Sequence, residues 1–253
     1  MAEKHLILDM PVRMTECGPD GYLRSNIWFD YLQHMAAEHA ERLGFGLSAV
    51  KERNLIWVLS RIKVQMDAYP RFDDILRIET YHNGFEKLFA KRQFIVTSAK
   101  TGERFGVGSS CWLTVDTTTM RLKPPVKMLN GELNENLDRE DFFPVLDKLA
   151  APGELEMEQC HQVLSSHIDL NNHLNNTYYS EYTLDWLGAK LGRFVRFKDI
   201  QINYNQAMLL NGELAVRGKL TADNGFYVEG TDCAGGKNSF QASGSYEFCP
   251  EML

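Results

Sequence analysis

The chain is predicted to be an α+β protein built from two tandem copies of one unit, each a helix packed on an antiparallel sheet. Three observations predict it. The 253 residues, 44% of them hydrophobic, suffice for two domains of about 125 residues with a core apiece. Helical and strand periodicities occur in the same order twice. Residues of the two halves also match at nearly constant offsets.

The elements follow in chain order. Trp28, Leu32, Met35, Ala36, His39 and Leu43 recur at spacings of three and four, which predicts a helix over 26–43 closed by Gly44 and Gly46. Apolar and polar residues alternate in 61–66 and in 76–80, so both read as strands. Asn83-Gly84 reads as a turn, and further strands follow over 88–97 and 106–115. The second half repeats the order: a helix over 177–191 with Tyr179, Tyr182, Trp186 and Ala189, strands over 199–204 and 213–220, a turn at Asn224-Gly225, and two strands ending at Phe248. Leu23, Asp30 and Tyr31 match Leu174, Glu181 and Tyr182 at an offset of 151. Ile62, Val64 and Leu76 match Ile200, Ile202 and Leu214 at 138, and Asn83-Gly84-Phe85 matches Asn224-Gly225-Phe226 at 141. The changes of offset read as loop-length differences.

The expected boundaries are 1–125 for the N-terminal unit, 126–155 for a linker and 156–253 for the C-terminal unit. Pro124-Pro125 precede the linker, which holds the charged run Glu132 to Asp141, then Pro144 and Pro152-Gly153. A helix following a loop and packing on a long curved antiparallel sheet is the hotdog plan. Two fused copies form an intrachain pseudo-dimer, and a fused pair is still compatible with a homodimer.

The formal net charge of −7 argues against general nucleic-acid binding, which needs a basic face. Cys17, Cys111, Cys160, Cys233 and Cys249 are odd in number and widely spaced, which fits free thiols in a reducing compartment. The apolar run near the N-terminus is too short for a signal peptide. No run approaches the roughly 20 apolar residues of a membrane span. A cytoplasmic protein is expected.

The residues from Asp169 to Asn176 carry the chemistry. Asp169, Asn171 and His173 stand at every second position, so a carboxylate, a carboxamide and an imidazole lie within about 10 Å of extended chain. The offset of 151 puts Gly18, Asp20 and Tyr22 in their places in the first half. The two sites are not equivalent, and the chemistry is expected in the second. Asn175 and Asn176, just before the helix, fit an N-capping role. The six-residue spacing of His161, His167 and His173 matches no standard metal-ligand pattern.

At this point the residues resemble a known family. Ser166-x-Ile168-Asp169-x-Asn171-x-His173-x-Asn175-Asn176-x-x-Tyr179 closely resembles the active-site segment of the acyl-acyl-carrier-protein thioesterases in their bacterial form. Tyr31-Leu32-Gln33, Ala37-Glu38-His39-Ala40-Glu41, Leu43-Gly44, Trp57-Val58-Leu59-Ser60-Arg61, Tyr69-Pro70-Arg71-Phe72-Asp73-Asp74 and Trp112-x-x-x-Asp116 extend the resemblance over nearly the whole chain.

The resemblance implies a double-hotdog hydrolase of the thioester between a fatty acyl chain and the phosphopantetheine arm of acyl carrier protein, with no metal or bound cofactor. It implies catalytic roles for Asp169, Asn171 and His173, and an acyl-chain pocket shaped by the N-terminal half. The alternatives are an acyl-coenzyme A thioesterase and a non-catalytic acyl-binding protein. The sequence departs from the family twice. Asn172 stands where glycine is frequent. Ala207-Met208 stand where the family places Glu, often followed by Cys, so that acid and that thiol are missing. Glu181 or Asp185 is the candidate substitute for the acid. Lys87, Lys91, Arg92, Arg121, Lys123 and Lys127 are the basic candidates for docking an acidic carrier.

Overall fold

The structure is a computed structural model that describes residues 4–125 and 136–250. Residues 126–135, which open the expected linker and include Lys127, lie outside the described residues. The chain divides into two compact units, one of Met1–Leu23 with Asp30–Leu146, the other of Arg24–Phe29 with Asp147–Leu253.

The first unit contains β1 (His5–Pro11), a 3-10 turn (Met14–Glu16), most of α1 (Ile27–Arg42), α2 (Leu47–Glu52), β2 (Leu55–Met66), β3 (Ile75–Glu86), β4 (Phe89–Ser98), β5 (Arg104–Asp116) and the short β6 (Leu122–Lys123). Its strands lie antiparallel in the order β1-β3-β4-β5-β2, with β6 folded back on β5. The second contains β7 (Glu156–Gln162), a 3-10 turn (Ser165–His167), α3 (Tyr178–Leu191), β8 (Val195–Tyr204), β9 (Glu213–Thr221), β10 (Gly225–Asp232) and β11 (Asn238–Phe248). Its order is β8-β11-β10-β9-β7, also antiparallel. Renaming β1 to β5 as β7 to β11 in chain order turns one sheet order into the other.

The duplication holds bond by bond. Val12 N–H donates to Asp74 O at 2.9 Å, and Val163 N–H to Gly212 O at 2.8 Å. Leu23 N–H donates to Pro70 O at 2.9 Å, and Leu174 N–H to Met208 O at 2.8 Å. Each pair keeps the offsets 151 and 138 read from the sequence. α3 packs across its sheet through Trp186, which is fully buried and donates Nε1–H to Met157 O at 2.8 Å. In the first unit Leu32 of α1 lies over Gly108 of β5, so closely that a Cβ there would stand 3.6 Å from it.

The two Asn-Gly pairs are not equivalent. In the second unit Asp223 and Asn224 both adopt positive φ, 57° and 55°, and Gly225 N–H closes on Ala222 O at 2.9 Å. This is the tight hairpin turn expected. Asn83-Gly84 is no turn: it lies inside β3, where the register shifts between His82 and Phe85, and the chain reverses at Lys87, φ 54°. The pair forms a β-bulge. Asn83 Nδ2 donates to the carbonyls of Arg139 and Glu140, each at 3.3 Å. Gly84 takes φ 81°, and a Cβ there would meet Leu137 at 2.7 Å. The longer hairpin makes the offset beyond it 134, from Trp112 to Tyr246, and not the 141 of the Asn-Gly match.

The acceptors of Asn83 belong to residues 136–146, within the expected linker but built onto the first sheet. Tyr81 Oη–H donates to Glu140 O at 2.7 Å, Arg139 pairs with Glu79 at 2.7 Å, and Gln93 Nε2 donates to Asp141 at 2.9 Å. Lys91 is buried in an ion pair with Asp141 and donates to Pro144 O at 3.1 Å. On the opposite face of the same strand Arg92 is buried against α1, donating to His39 Nδ1 at 2.8 Å and Thr80 Oγ1 at 3.1 Å. Lys91 and Arg92 are therefore both lost to a docking surface. One is covered by the strap and the other by the helix.

Replacing Asn83 with alanine strands strap carbonyls and is expected to lower stability by about 1–3 kcal/mol. Urea unfolding gives the loss, and limited proteolysis should place the new cleavage within 137–146.

Candidate functional site

Asp169, Asn171 and His173 lie in a tight loop between the 3-10 turn at Ser165–His167 and α3. Ile168 and Leu174 close it as a β-bridge. Asp169 N–H donates to His173 O at 2.8 Å, and Asn172 N–H to Asp169 O at 3.0 Å. The first unit builds the same loop with Gly18 N–H to Tyr22 O at 2.8 Å and Gly21 N–H to Gly18 O at 3.0 Å. Gly21 adopts φ 77° and its counterpart Asn172 φ 60°. That accounts for Asn172: the loop needs a left-handed residue, and asparagine is the common non-glycine solution.

The Asp169 carboxylate organises the loop it sits in. Oδ1 accepts Asn171 N–H at 2.8 Å and His173 N–H at 3.3 Å. Oδ2 stands 3.5 Å from Asn171 Nδ2. Asp169 and His173 are half-buried and Asn171 is exposed. Asp169 and Asn171 therefore touch through their side chains. His173 is held through its main chain, and among the described residues no hydrogen bond joins its ring to the other two. Asn175 Oδ1 accepts Thr177 N–H at 3.2 Å, which leads the chain into α3 one position before the helix's own first turn. Thr177 is the N-cap residue, and its side chain makes no capping bond.

The residues behind the loop were not evident from residue type. Met208 receives Leu174 N–H through its carbonyl. Ser239 Oγ–H donates to Gln206 O at 2.6 Å and lies 3.3 Å from Tyr179 Oη. Burial holds the Tyr179 hydroxyl above its ordinary pKa, and the negative charge of Asp169 adds to the shift. Main-chain groups do this work, so only the Tyr179 position offered a signal. Tyr182 and Trp186 are buried as expected. The Tyr182 ring stacks on His161 at 4.2 Å, and its hydroxyl lies 3.5 Å from His167 Nδ1.

Ala207 is exposed and Met208 buried, so neither offers an acid or a thiol. Of the two substitutes, Glu181 accepts Asn26 Nδ2–H at 3.2 Å. Partial burial raises the Asp185 carboxyl against the opposing charges of His161 and Arg24. Among the described residues neither is hydrogen-bonded to Asp169, Asn171 or His173.

With this geometry in view, the chain was compared with known proteins. The model of the acyl-ACP thioesterase N-terminal domain matches residues 4–128, and that of the C-terminal domain matches 151–244. The chain belongs to the acyl-ACP thioesterase family. A chloroplastic palmitoyl-acyl carrier protein thioesterase of Arabidopsis thaliana is 27% identical over 237 residues, 88% of this chain and 56% of the relative. A chloroplastic dodecanoyl-[acyl-carrier-protein] hydrolase of Cinnamomum camphora is 23% identical over 219 residues, 80% of this chain and 56% of the relative. The chain thus spans about half the length of the curated relatives it matches.

Among solved structures, an acyl-ACP thioesterase from Bacteroides thetaiotaomicron aligns with a TM-score of 0.80 at 23% identity, over 96% of this chain and 98% of that one. The 12:0-ACP thioesterase from Umbellularia californica gives 0.84 at 18%, over 98% and 99%. These likenesses show that each unit of the family member is a hotdog, a helix on an antiparallel sheet.

The loop geometry sets a stability prediction for this member. Asn172→Gly should fold and melt like the parent, whereas Asn172→Val forces a β-branched residue into the left-handed region and should cost about 1–2 kcal/mol. Thermal unfolding of the two variants checks it.

Proposed function

We propose that this chain hydrolyses the thioester of fatty acyl-acyl carrier protein, releasing a free fatty acid and the holo-carrier. The observation that carries the reading is the Asp169 loop. The second copy of a duplicated scaffold holds a carboxylate, a carboxamide and an imidazole where the first holds Gly18, Asp20 and Tyr22.

The two oxygens of Asp169 are not equivalent. Oδ1 is engaged by two main-chain amides and serves the loop. Oδ2 faces the Asn171 carboxamide, so a water within reach of both meets an acceptor for its proton and a donor for its oxygen. Asp169 acts through Oδ2 as the base, and Asn171 positions the water and steadies the developing oxyanion. His173 carries the proton toward the departing sulfur. A thiol of ordinary pKa about 8.5 leaves readily, so this step needs less acid assistance than amide cleavage. With Met208 in the thiol position, a cysteine nucleophile has no place in this scheme. The N-terminal unit receives the acyl chain. Lys87, Arg121 and Lys123 are exposed and remain to meet an acidic carrier, Lys123 also lying 3.3 Å from Asp116.

The absent fourth carboxylate favours a second reading, an acyl-binding protein without turnover. Asp169→Asn separates the two, because its Oδ1 still accepts the loop amides while the base is gone. Turnover of purified acyl-acyl-carrier-protein substrates should fall about 10²–10⁴-fold in Asp169→Asn and about 10²–10³-fold in Asn171→Ala. Near-parental rates in both Asp169→Asn and His173→Ala would rule out this assignment. Acyl-chain binding without any turnover by the parent chain would establish the second reading. Parallel rates on one acyl chain carried by acyl carrier protein and by coenzyme A decide the carrier.

A further inference from the structure

The helix-facing core of the first unit contains polar groups that the hydrolysis does not use. His82, Arg92 and Ser110 are successive cross-strand partners on β3, β4 and β5, and all three are buried. Thr80 lies one step along the same face, and His39 faces the row from α1. Arg92 donates to His39 Nδ1 and to Thr80 Oγ1, both neutral acceptors. Burial pushes its pKa down to about 10, and no carboxylate among the described residues pairs with it.

His82 completes the pair. Its Nδ1 lies 3.0 Å from Lys91 O. A carbonyl only accepts, so Nδ1 carries the proton. Burial, with the Arg92 charge next to it, pushes the ring pKa down to about 3, so the imidazole is neutral. Nε2 is then a bare acceptor, and it is buried with no hydrogen-bond partner among the described residues. An unpartnered polar atom in a core is destabilising unless something fills its place. A guanidinium donor and an imidazole acceptor in cross-strand register suit a group that accepts from one and donates to the other. A hydroxyl does both. A carboxylate would meet the Nε2 lone pair, and a methyl end would leave both groups unmet.

We propose that Arg92 and His82 form a receiving site for a hydroxyl group on the acyl chain, which makes this protein selective for hydroxyacyl thioesters. The inference rests on the reading of the chain as an acyl thioesterase whose first unit takes the acyl chain. Sites built to hydrogen-bond a hydroxyl discriminate strongly against analogues that lack it.

The test uses the full chain and acyl-carrier-protein thioesters of one chain length, either unsubstituted or carrying a single hydroxyl at successive carbons. One positional isomer should exceed the unsubstituted chain in kcat/KM by at least about tenfold. In His82→Phe and in Arg92→Met that preference should shrink to within about twofold, circular dichroism and thermal unfolding serving as the control for folding. Turnover with no isomer favoured in the parent chain would overturn the hydroxyl site while leaving the thioesterase reading intact, and it needs no variant to fold. Absence of turnover on every substrate would overturn both.

Discussion

Leu174 donates its amide proton to the Met208 carbonyl over 2.8 Å, and this one bond joins the loop bearing Asp169, Asn171 and His173 to the turn that follows β8. Ser239 donates to Gln206 O in the same turn at 2.6 Å and lies 3.3 Å from the Tyr179 hydroxyl, so this turn meets both the loop and the helix behind it. The demand at position 208 is on the main chain. That explains how the family's acid and thiol can be replaced by Ala207 and Met208 without disturbing the loop: an exposed alanine and a buried methionine satisfy the same backbone.

The first unit shows how little of that geometry depends on catalysis. Leu23 and Pro70 make the equivalent bond, and Gly21 the equivalent left-handed turn. Asp20 Oδ1 accepts Tyr22 N–H at 3.1 Å, a local turn in place of the bridging carboxylate of Asp169. Behind the loops, Glu16 meets the Tyr31 hydroxyl at 2.6 Å where His167 meets Tyr182. The scaffold is shared and its side chains have parted. In the second unit they hold a carboxylate at the surface of the loop. In the first they hold a buried donor and acceptor beneath α1.

α1, α3 and most strands were legible because each rests on a local pattern: period 3.6 or period 2. β1 and β7 escaped that reading. Each is a seven-residue edge strand, and only pairing with β3 or β9 makes it a strand. Asn83-Gly84 misled for a related reason. The dipeptide permits a turn as readily as a bulge, and the strap carbonyls of Arg139 and Glu140 decide for the bulge. Lys91 and Arg92 looked like surface charges because their type is usually exposed. Asp141 and His39, some fifty residues away on either side, bury them.

By itself the sequence determined the α+β class, the twofold repeat with its offsets of 151 and 138, and the residue types available for chemistry, since periodicity and spacing are properties of the chain alone. The tertiary structure decided which oxygen of Asp169 the loop amides engage, why Asn172 is tolerated, and which basic residues are sealed inside. The basic residues are sealed by partners some fifty residues away, and the loop that sets the first two outcomes is anchored by Leu174 on the distant Met208 carbonyl; no local pattern encodes which carbonyl a given amide will meet.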